Sequence, residues 1–501
     1  MLITNKLFII KHFQKHKLLI ISAGLLLLFS FIVFFKTAAV YTSIEITSLW
    51  VREWFGSFYL WLGLGCVLFL ILLAVSPLGS YKLGSPDDKP EHSRWAWFTM
   101  LYSAGMGAGI LLRAVQEPVY MFQHPPIQTG NTANRIALEY TFYQWGFTAW
   151  AFYGLFALII GYYVFNQKQK VLVSSSINTS EKTKKFTGII DVLTILTTIF
   201  GLVGAVGLGT TQITGGLKHL THLNLGINTT IFITILISLL AFISVWNGVN
   251  KGIKIISKLN MLVTIALLIF VFVQTNILHI LETFLVTTYH YLIDFLPMSI
   301  AYGNYNPGKA FLTDWTYYYW AFWLAWAPFT GIFIARISKG RTIRELLFGV
   351  LIIPSLGTFI WFTVFGESAF HLINSWGTYN NEFGNVFTSI FVFFQHYPLH
   401  KFINGVTIFL LISFLVTSVD SAIYVLSMFT DEGKQHPNKK HRLLWSVLFL
   451  IFAVALLILG SAKPDIDMLT ALQKLLIITS LPFAFFTVYI AFKFLYDLLR
   501  K

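Results

Sequence analysis

The chain has 501 residues, of which 56% are hydrophobic and 11% charged; charged residues make up about a quarter of a typical soluble protein, so a soluble globular fold is excluded. Its net charge of +14 does not point to nucleic acid, because the Lys and Arg residues fall in short segments between apolar runs. The single cysteine, Cys66, lies inside an apolar run, which rules out an internal disulfide framework and a cysteine-built metal site.

A bilayer core about 30 Å thick takes about 20 apolar residues per helix. On that measure the hydropathy pattern predicts twelve spans, at 18–35, 54–76, 95–122, 137–165, 186–214, 228–247, 259–279, 312–335, 343–370, 402–430, 442–461 and 472–497. The Lys-rich start and the small residues Thr37, Ala38 and Ala39 imitate a secretory leader. The length of the first apolar run and the spans that follow it make an uncleaved first helix the expectation. Of the 35 Lys and Arg residues, 26 fall on one set of alternate segments, 8 on the other, and Arg113 lies within a span. By the positive-inside rule this split puts both termini in the cytoplasm, as in a multi-pass protein of the cell (inner) membrane. The longest stretches outside the spans, near 280–311 and 371–401, fall on the outer side and contain apolar and aromatic pieces; short surface helices are expected there.

The third span carries Gly105, Gly107 and Gly109 within five residues, and the eighth carries Trp326, Ala327, Pro328, Phe329, Thr330 and Gly331. Glycine lets a ligand approach the backbone, and proline removes a hydrogen bond from the helix ladder. Interrupted helices at matching places are the mark of inverted-repeat transporters, and both segments are expected to be broken. Close helix packing through small residues is the alternative for the glycine stretch. The chain then divides into 1–94 (tail and spans 1–2), 95–279 (first repeat, spans 3–7), 280–311 (outer connector) and 312–501 (second repeat, spans 8–12, with a short C-terminal end).

Aromatic residues crowd the fourth and eighth spans. At 100° per residue, Trp145, Trp150 and Tyr153 share one broad helical face, and Trp323 and Trp326 lie about one turn apart. Such faces suit a quaternary ammonium, whose charge is spread over methyl groups and which has no N–H to donate. The bland alternative is core packing or an interfacial belt, because 17% of the chain is aromatic. Thr417 and Ser418 offer neighbouring hydroxyls in the tenth span, although mid-helix hydroxyls often bond back to the preceding turn. An arginine inside a span marks function by default. Arg113 stands four residues before Glu117, so an intrahelical pair, gating and contact with a substrate carboxylate are all open. No nucleophile–base constellation appears, and an enzyme is not expected.

Four stretches together resemble the betaine/carnitine/choline transporter family: Trp95 to Pro118, Trp145 to Tyr153, Trp315 to Glu345 (WTYYYWAFWLAWAPFTGIFIARISKGRTIRE) and Phe414 to Ser421 (FLVTSVDS). The resemblance implies an all-α polytopic membrane protein of twelve transmembrane helices, with a leucine-transporter-like 5+5 inverted repeat and two extra N-terminal helices. It implies import of a small quaternary-ammonium osmolyte such as glycine betaine, with sodium as the coupling ion and no other cofactor. A sodium-independent exchanger or proton-coupled carrier of carnitine or choline is the alternative. By resemblance, Trp145, Trp150, Tyr153 and Trp323 form the cage, with Trp326 and the segment Gly105, Met106, Gly107 and Gly109 beside it. A sodium site falls on Ser103, Met106, Phe414, Thr417 and Ser418, and a weaker second one on Thr198. Gly109, where choline carriers tend to have Asp, favours a zwitterion whose carboxylate meets free backbone N–H groups. Arg113 stands where relatives usually have a bulky aromatic, and Phe322 where many have a third tryptophan. Membrane lipids are the expected surroundings, and relatives are often trimeric.

Overall fold

The computed structural model describes residues 2–105, 107–128, 130–176, 184–247, 250–463 and 466–500. Every regular element among them is helical, and the one strand-like feature is an isolated antiparallel bridge between Lys82 and Thr342. The first helix, α1 (Leu2–Val75), departs from helical geometry at His16 and Lys36. There follow α2 (Arg94–Gly105), α3 (Ala108–Arg113), α4 (Gln116–Gln123), α5 (Ala133–Trp145) and α6 (Phe147–Gly161). The middle of the chain forms α7 (Lys184–Thr221), α8 (Ile227–Asn247), α9 (Asn250–Phe272) and α10 (Ile277–Ser299). A short α11 (Lys309–Phe311) leads through a π-helical turn into α12 (Tyr317–Ile337), followed by α13 (Ile343–Trp376) and α14 (Ser389–Phe394). The chain ends in α15 (His400–Thr430), α16 (Lys439–Leu459) and α17 (Met468–Leu499).

Ten of the described helices are long and apolar enough to cross a membrane. An eleventh span is formed if Arg94–Ser103 and Ala108–Gln123, whose axes differ by 63°, are taken together. The stretch expected as an outer loop between the first two spans is helical. Residues 37–53 contain neither Gly nor Pro, so nothing in them stops a helix once it has restarted after Lys36. The middle of α1 is clipped to the start of α17, where Lys474 donates to Glu45 at 2.5 Å and to Tyr41 at 2.7 Å. The seventh span also ends earlier than expected, because the chain turns at Val273–Asn276 and restarts as α10.

α12 lies at the centre, packed along α6, α7, α17 and α1. It is an unbroken helix through Trp326, Pro328 and Gly331, which corrects the expectation of an interruption there. Proline removes one ladder bond without ending a helix that is held on all sides, and the glycines serve close approach instead. A Cβ at Gly331 would sit 2.7 Å from the Phe156 Cβ. At Gly201 of α7 it would sit 2.8 Å from the Ala325 Cβ, and at Gly63 of α1 2.7 Å from the Trp320 indole nitrogen. The turn after α12 is tied to the segment before α2. At Gly340, with φ +81, a Cβ would lie 2.8 Å from the Lys89 carbonyl oxygen, the Arg341 guanidinium lies 4.1 Å from the Trp97 ring centre, and the Trp97 indole donates to Ser338 at 2.9 Å. Arg341 also pairs with Glu345. These contacts give the Gly-Arg-Thr-Ile-Arg-Glu run a structural task at one end of the bundle.

Gly331→Val is expected to lower stability by about 1–3 kcal/mol through overpacking against Phe156. Thermal unfolding of the detergent-purified protein measures this, and an unchanged midpoint would contradict the α6–α12 contact.

Candidate functional site

The site grows from interruptions in the backbone. One separates α2 from α3, a second lies at Ala114–Val115 between α3 and α4, and a third, which the sequence did not announce, falls at Gly146 between α5 and α6. At Gly146 (φ −95, ψ −135) a Cβ would lie 2.6 Å from the Phe142 carbonyl oxygen and 2.7 Å from the Tyr291 hydroxyl, so only glycine fits. A buried backbone group that leaves its ladder needs another partner. The Phe147 N–H donates to the Tyr291 hydroxyl at 2.9 Å, and the Gln144 carbonyl accepts from the Trp323 indole at 2.9 Å. The break itself therefore orients a cage residue. Trp145, on α5, does not continue the helix of Trp150 and Tyr153 on α6, which corrects the single-face arrangement expected from the 100° step.

The four cage candidates are buried and form a connected set. Trp145 and Trp323 have ring centres 5.1 Å apart at 68°, Tyr153 and Trp323 6.1 Å at 87°, and Trp150 and Tyr153 5.5 Å at 89°. Edge-to-face contacts of this kind are the arrangement that aromatic quadrupoles prefer. Tyr319 joins them: it stacks on Trp323 (5.7 Å, 21°) and lies 5.7 Å from Trp145. Phe362 of α13 backs Trp145 at 5.2 Å. Trp326 stands apart and half-buried, with Phe322 and Phe329 as its ring neighbours, and Gly201 gives α7 room beside it.

Glu117 is the polar centre of this region. Both of its carboxylate oxygens lie 3.2 Å from the Trp145 indole nitrogen, and one also accepts from the Tyr319 hydroxyl. Arg113 approaches it at 3.8 Å, donates to Gln116 at 2.7 Å, and lies 4.9 Å from the Trp315 ring centre. Arg113, Gln116, Glu117, Trp315 and Tyr319 are all buried. Removing one member of such a buried pair costs roughly 3–5 kcal/mol, because the other charge is left alone. The aromatic set is thus covered by buried side chains on the side of α4 and the start of α12. Towards the other end of α12, Phe322, Trp326 and Phe329 are half-buried and Phe333 is exposed.

Gly109 brings α3 to the cage, since a Cβ there would lie 3.5 Å from Trp145, whereas a Cβ at Gly107 would meet open space. Gly105 ends α2, and Met106 lies outside the described residues. α15 packs on α3 and carries Phe414, Thr417 and Ser418. The Thr417 hydroxyl donates to the carbonyls of Ser413 and Phe414, each at 3.0 Å, and the exposed Ser103 donates to the Met100 carbonyl at 2.9 Å. The Thr198 hydroxyl on α7 is buried and has no hydrogen-bond partner among the described residues. Sequence reasoning missed Gly146, Tyr291 and Tyr319. A lone mid-span glycine reads as packing, and Tyr291 falls in the expected connector.

The family profile described as "BCCT, betaine/carnitine/choline family transporter" matches residues 17–501. The glycine betaine transporter OpuD of Bacillus subtilis is 37% identical over 441 residues, covering 87% of this chain and 85% of the relative. An ectoine/hydroxyectoine transporter of Virgibacillus pantothenticus is 34% identical, covering 86% and 85%. The osmo-dependent choline transporter BetT2 of Acinetobacter baylyi is 34% identical, covering 87% and 64%.

Tyr291→Phe leaves the Phe147 N–H unpaired in a buried break. A loss of about 1–3 kcal/mol is expected, read as a lower thermal midpoint; full stability would mean that the break has another donor–acceptor solution.

Proposed function

Because the chain belongs to the betaine/carnitine/choline family of transporters, we propose that it is a secondary active importer of a quaternary-ammonium osmolyte such as glycine betaine, working by sodium symport with alternating access. The observation that carries this reading is the connected, buried cage of Trp145, Trp150, Tyr153 and Trp323 beside interrupted helices. A quaternary ammonium cannot donate a strong hydrogen bond, so a site selects it by surrounding its diffuse charge with aromatic faces. Gly109 leaves the space next to Trp145 free of an acidic side chain, which suits a zwitterion. The substrates named for relatives are glycine betaine, ectoine, hydroxyectoine and choline. The first three are zwitterions.

For the coupling ion, hydroxyl and carbonyl oxygens are the donors that suit a small hard cation. The Thr417 and Ser418 hydroxyls with the carbonyls of Ser103, Met106 and Phe414 form the first set, and Thr198 contributes to a second. The unpartnered, buried hydroxyl of Thr198 supports that second set, since buried polar groups are rarely left without a partner. The Thr417 hydroxyl spends its proton on the carbonyls of its own helix, which leaves its oxygen lone pairs for a cation; the other reading is sodium-independent exchange or proton coupling with carnitine or choline as cargo.

Twelve spans belong to the same proposal. The helix from His16 to Val75 has 60 residues, about 90 Å at 1.5 Å per residue, and accommodates two spans on either side of Lys36. Ten helices, one bent pair and the division of α1 then give a 5+5 repeat after two leading helices, with both termini cytoplasmic in the inner membrane. The burial of Arg113, Glu117 and Trp315 against the exposure of Phe333 supports an inward-facing state.

Uptake of labelled betaine, choline and carnitine into proteoliposomes, with and without a sodium gradient, tests this directly. Betaine accumulation that collapses without the gradient is expected, and accumulation indifferent to sodium would overturn the symport. Trp323→Ala is expected to weaken betaine binding by about tenfold through loss of a cage face; unimpaired binding would remove Trp323 from the cage.

A further inference from the structure

The Arg113–Glu117 pair is an ionic feature at the cage for which osmolyte transport as such supplies no task. Glu117 accepts from the indole of Trp145 and the hydroxyl of Tyr319, and Tyr319 stacks on Trp323. An ionised carboxylate is a pure acceptor, and this donor set fits that form. Its negative charge therefore sits directly behind two aromatic walls. Arg113 carries a permanent positive charge, placed 3.8 Å from Glu117 and 6.0 Å from the Tyr319 ring centre. Seen from the cage, the two charges cancel.

We propose that Arg113 is a specificity-determining residue: by balancing the charge of Glu117 it makes the wall of the cage neutral, which favours a zwitterionic osmolyte over a monocation such as choline. The inference rests on the assignment of the cage to quaternary-ammonium solutes. Without Arg113 the uncompensated Glu117 would attract any ammonium, but it would also repel the carboxylate that a betaine carries and choline lacks. The discrimination thus lies in the second charge of the substrate. Arg113 reaches the cage through Glu117 and the Tyr319 ring, 6.0 Å from its guanidinium, and Arg113→Lys, which keeps the charge and changes the shape, separates the two effects.

The test measures kcat/KM for choline and for glycine betaine in proteoliposomes for the wild type, Arg113→Met, Arg113→Lys, Glu117→Gln and the double variant Arg113→Met/Glu117→Gln. A unit charge about one ring away from the substrate acts strongly in a low-dielectric site, so Arg113→Met is expected to raise the choline-to-betaine ratio by about tenfold or more. Arg113→Lys should keep the wild-type ratio, and Glu117→Gln should move it towards betaine. The double variant, neutral again, should return near the wild type. Should Arg113→Met not fold, the opposite shift in Glu117→Gln and its cancellation in the double variant decide the matter. Parallel loss of both substrates at an unchanged ratio would overturn the proposal and leave the pair a structural brace. A wild type that carries no quaternary-ammonium solute would refute the cage assignment itself, whereas wild-type transport with an unmoved ratio refutes only the role of Arg113.

Discussion

The hydrogen bond from the Phe147 N–H to the Tyr291 hydroxyl is the contact on which the geometry of the cage depends. In an apolar interior a backbone group outside its helical ladder is tolerated only where another partner receives it. Tyr291 supplies that partner from α10, an element outside the α5–α6 pair it stabilises. If the ladder closed across Gly146 instead, the Gln144 carbonyl would turn inwards to its own helix and the Trp323 indole would lose its acceptor. Trp145 would then also swing relative to Trp150 and Tyr153. A hydroxyl on one helix thus fixes the angle between aromatic walls on two others.

The charged residues follow the same logic with larger energies. Arg113 and Glu117 are buried where an isolated charge would be very costly. Glu117 is held by donors from α5 and α12 as well as by Arg113. The pair therefore links α3, α4, α5 and α12, the first two of which the interruption at Ala114–Val115 would otherwise leave independent. It also closes one side of the cage, with Trp315 lying against the guanidinium. The opposite side has only partly buried aromatic residues and no comparable ionic cross-link among the described residues.

Much of the helical architecture was legible because hydropathy reports directly on helices long and apolar enough to cross a bilayer. The break between α2 and α3 was legible too, since three glycines in five residues leave a helix few other uses for them. Other features were hidden for physical reasons. Residues 37–53 look polar enough for a loop, yet they lack any helix breaker and continue α1. Pro328 and Gly331 look like an interruption, but a proline in a fully packed helix removes one bond, and Gly331 is there for Phe156. Gly146 carries the opposite lesson: one glycine in an apolar run has no signature, and the Tyr291 hydroxyl that receives the next N–H lies 144 residues from Phe147. Tyr319 is one of three consecutive tyrosines, and only the fold distinguishes the one that reaches Glu117.

The two halves that a repeat would make equivalent differ in stiffness. α12 runs unbroken through the centre, held closely by α1, α6 and α7 at Gly63, Gly331 and Gly201. The segment that a repeat would match to it is divided into α2, α3 and α4, with Arg94–Ser103 and Ala108–Gln123 lying 63° apart. The divided segment that carries Gly109, Arg113 and Glu117 is held to α5 and α12 through Glu117, while Trp323 is bonded to the Gln144 carbonyl. A shift of α3 and α4 would change the distance from Glu117 to Trp145 and Tyr319 and leave the rest of the cage standing. The backbone next to Trp145 and the charge bonded to it are thus borne by the same short helices.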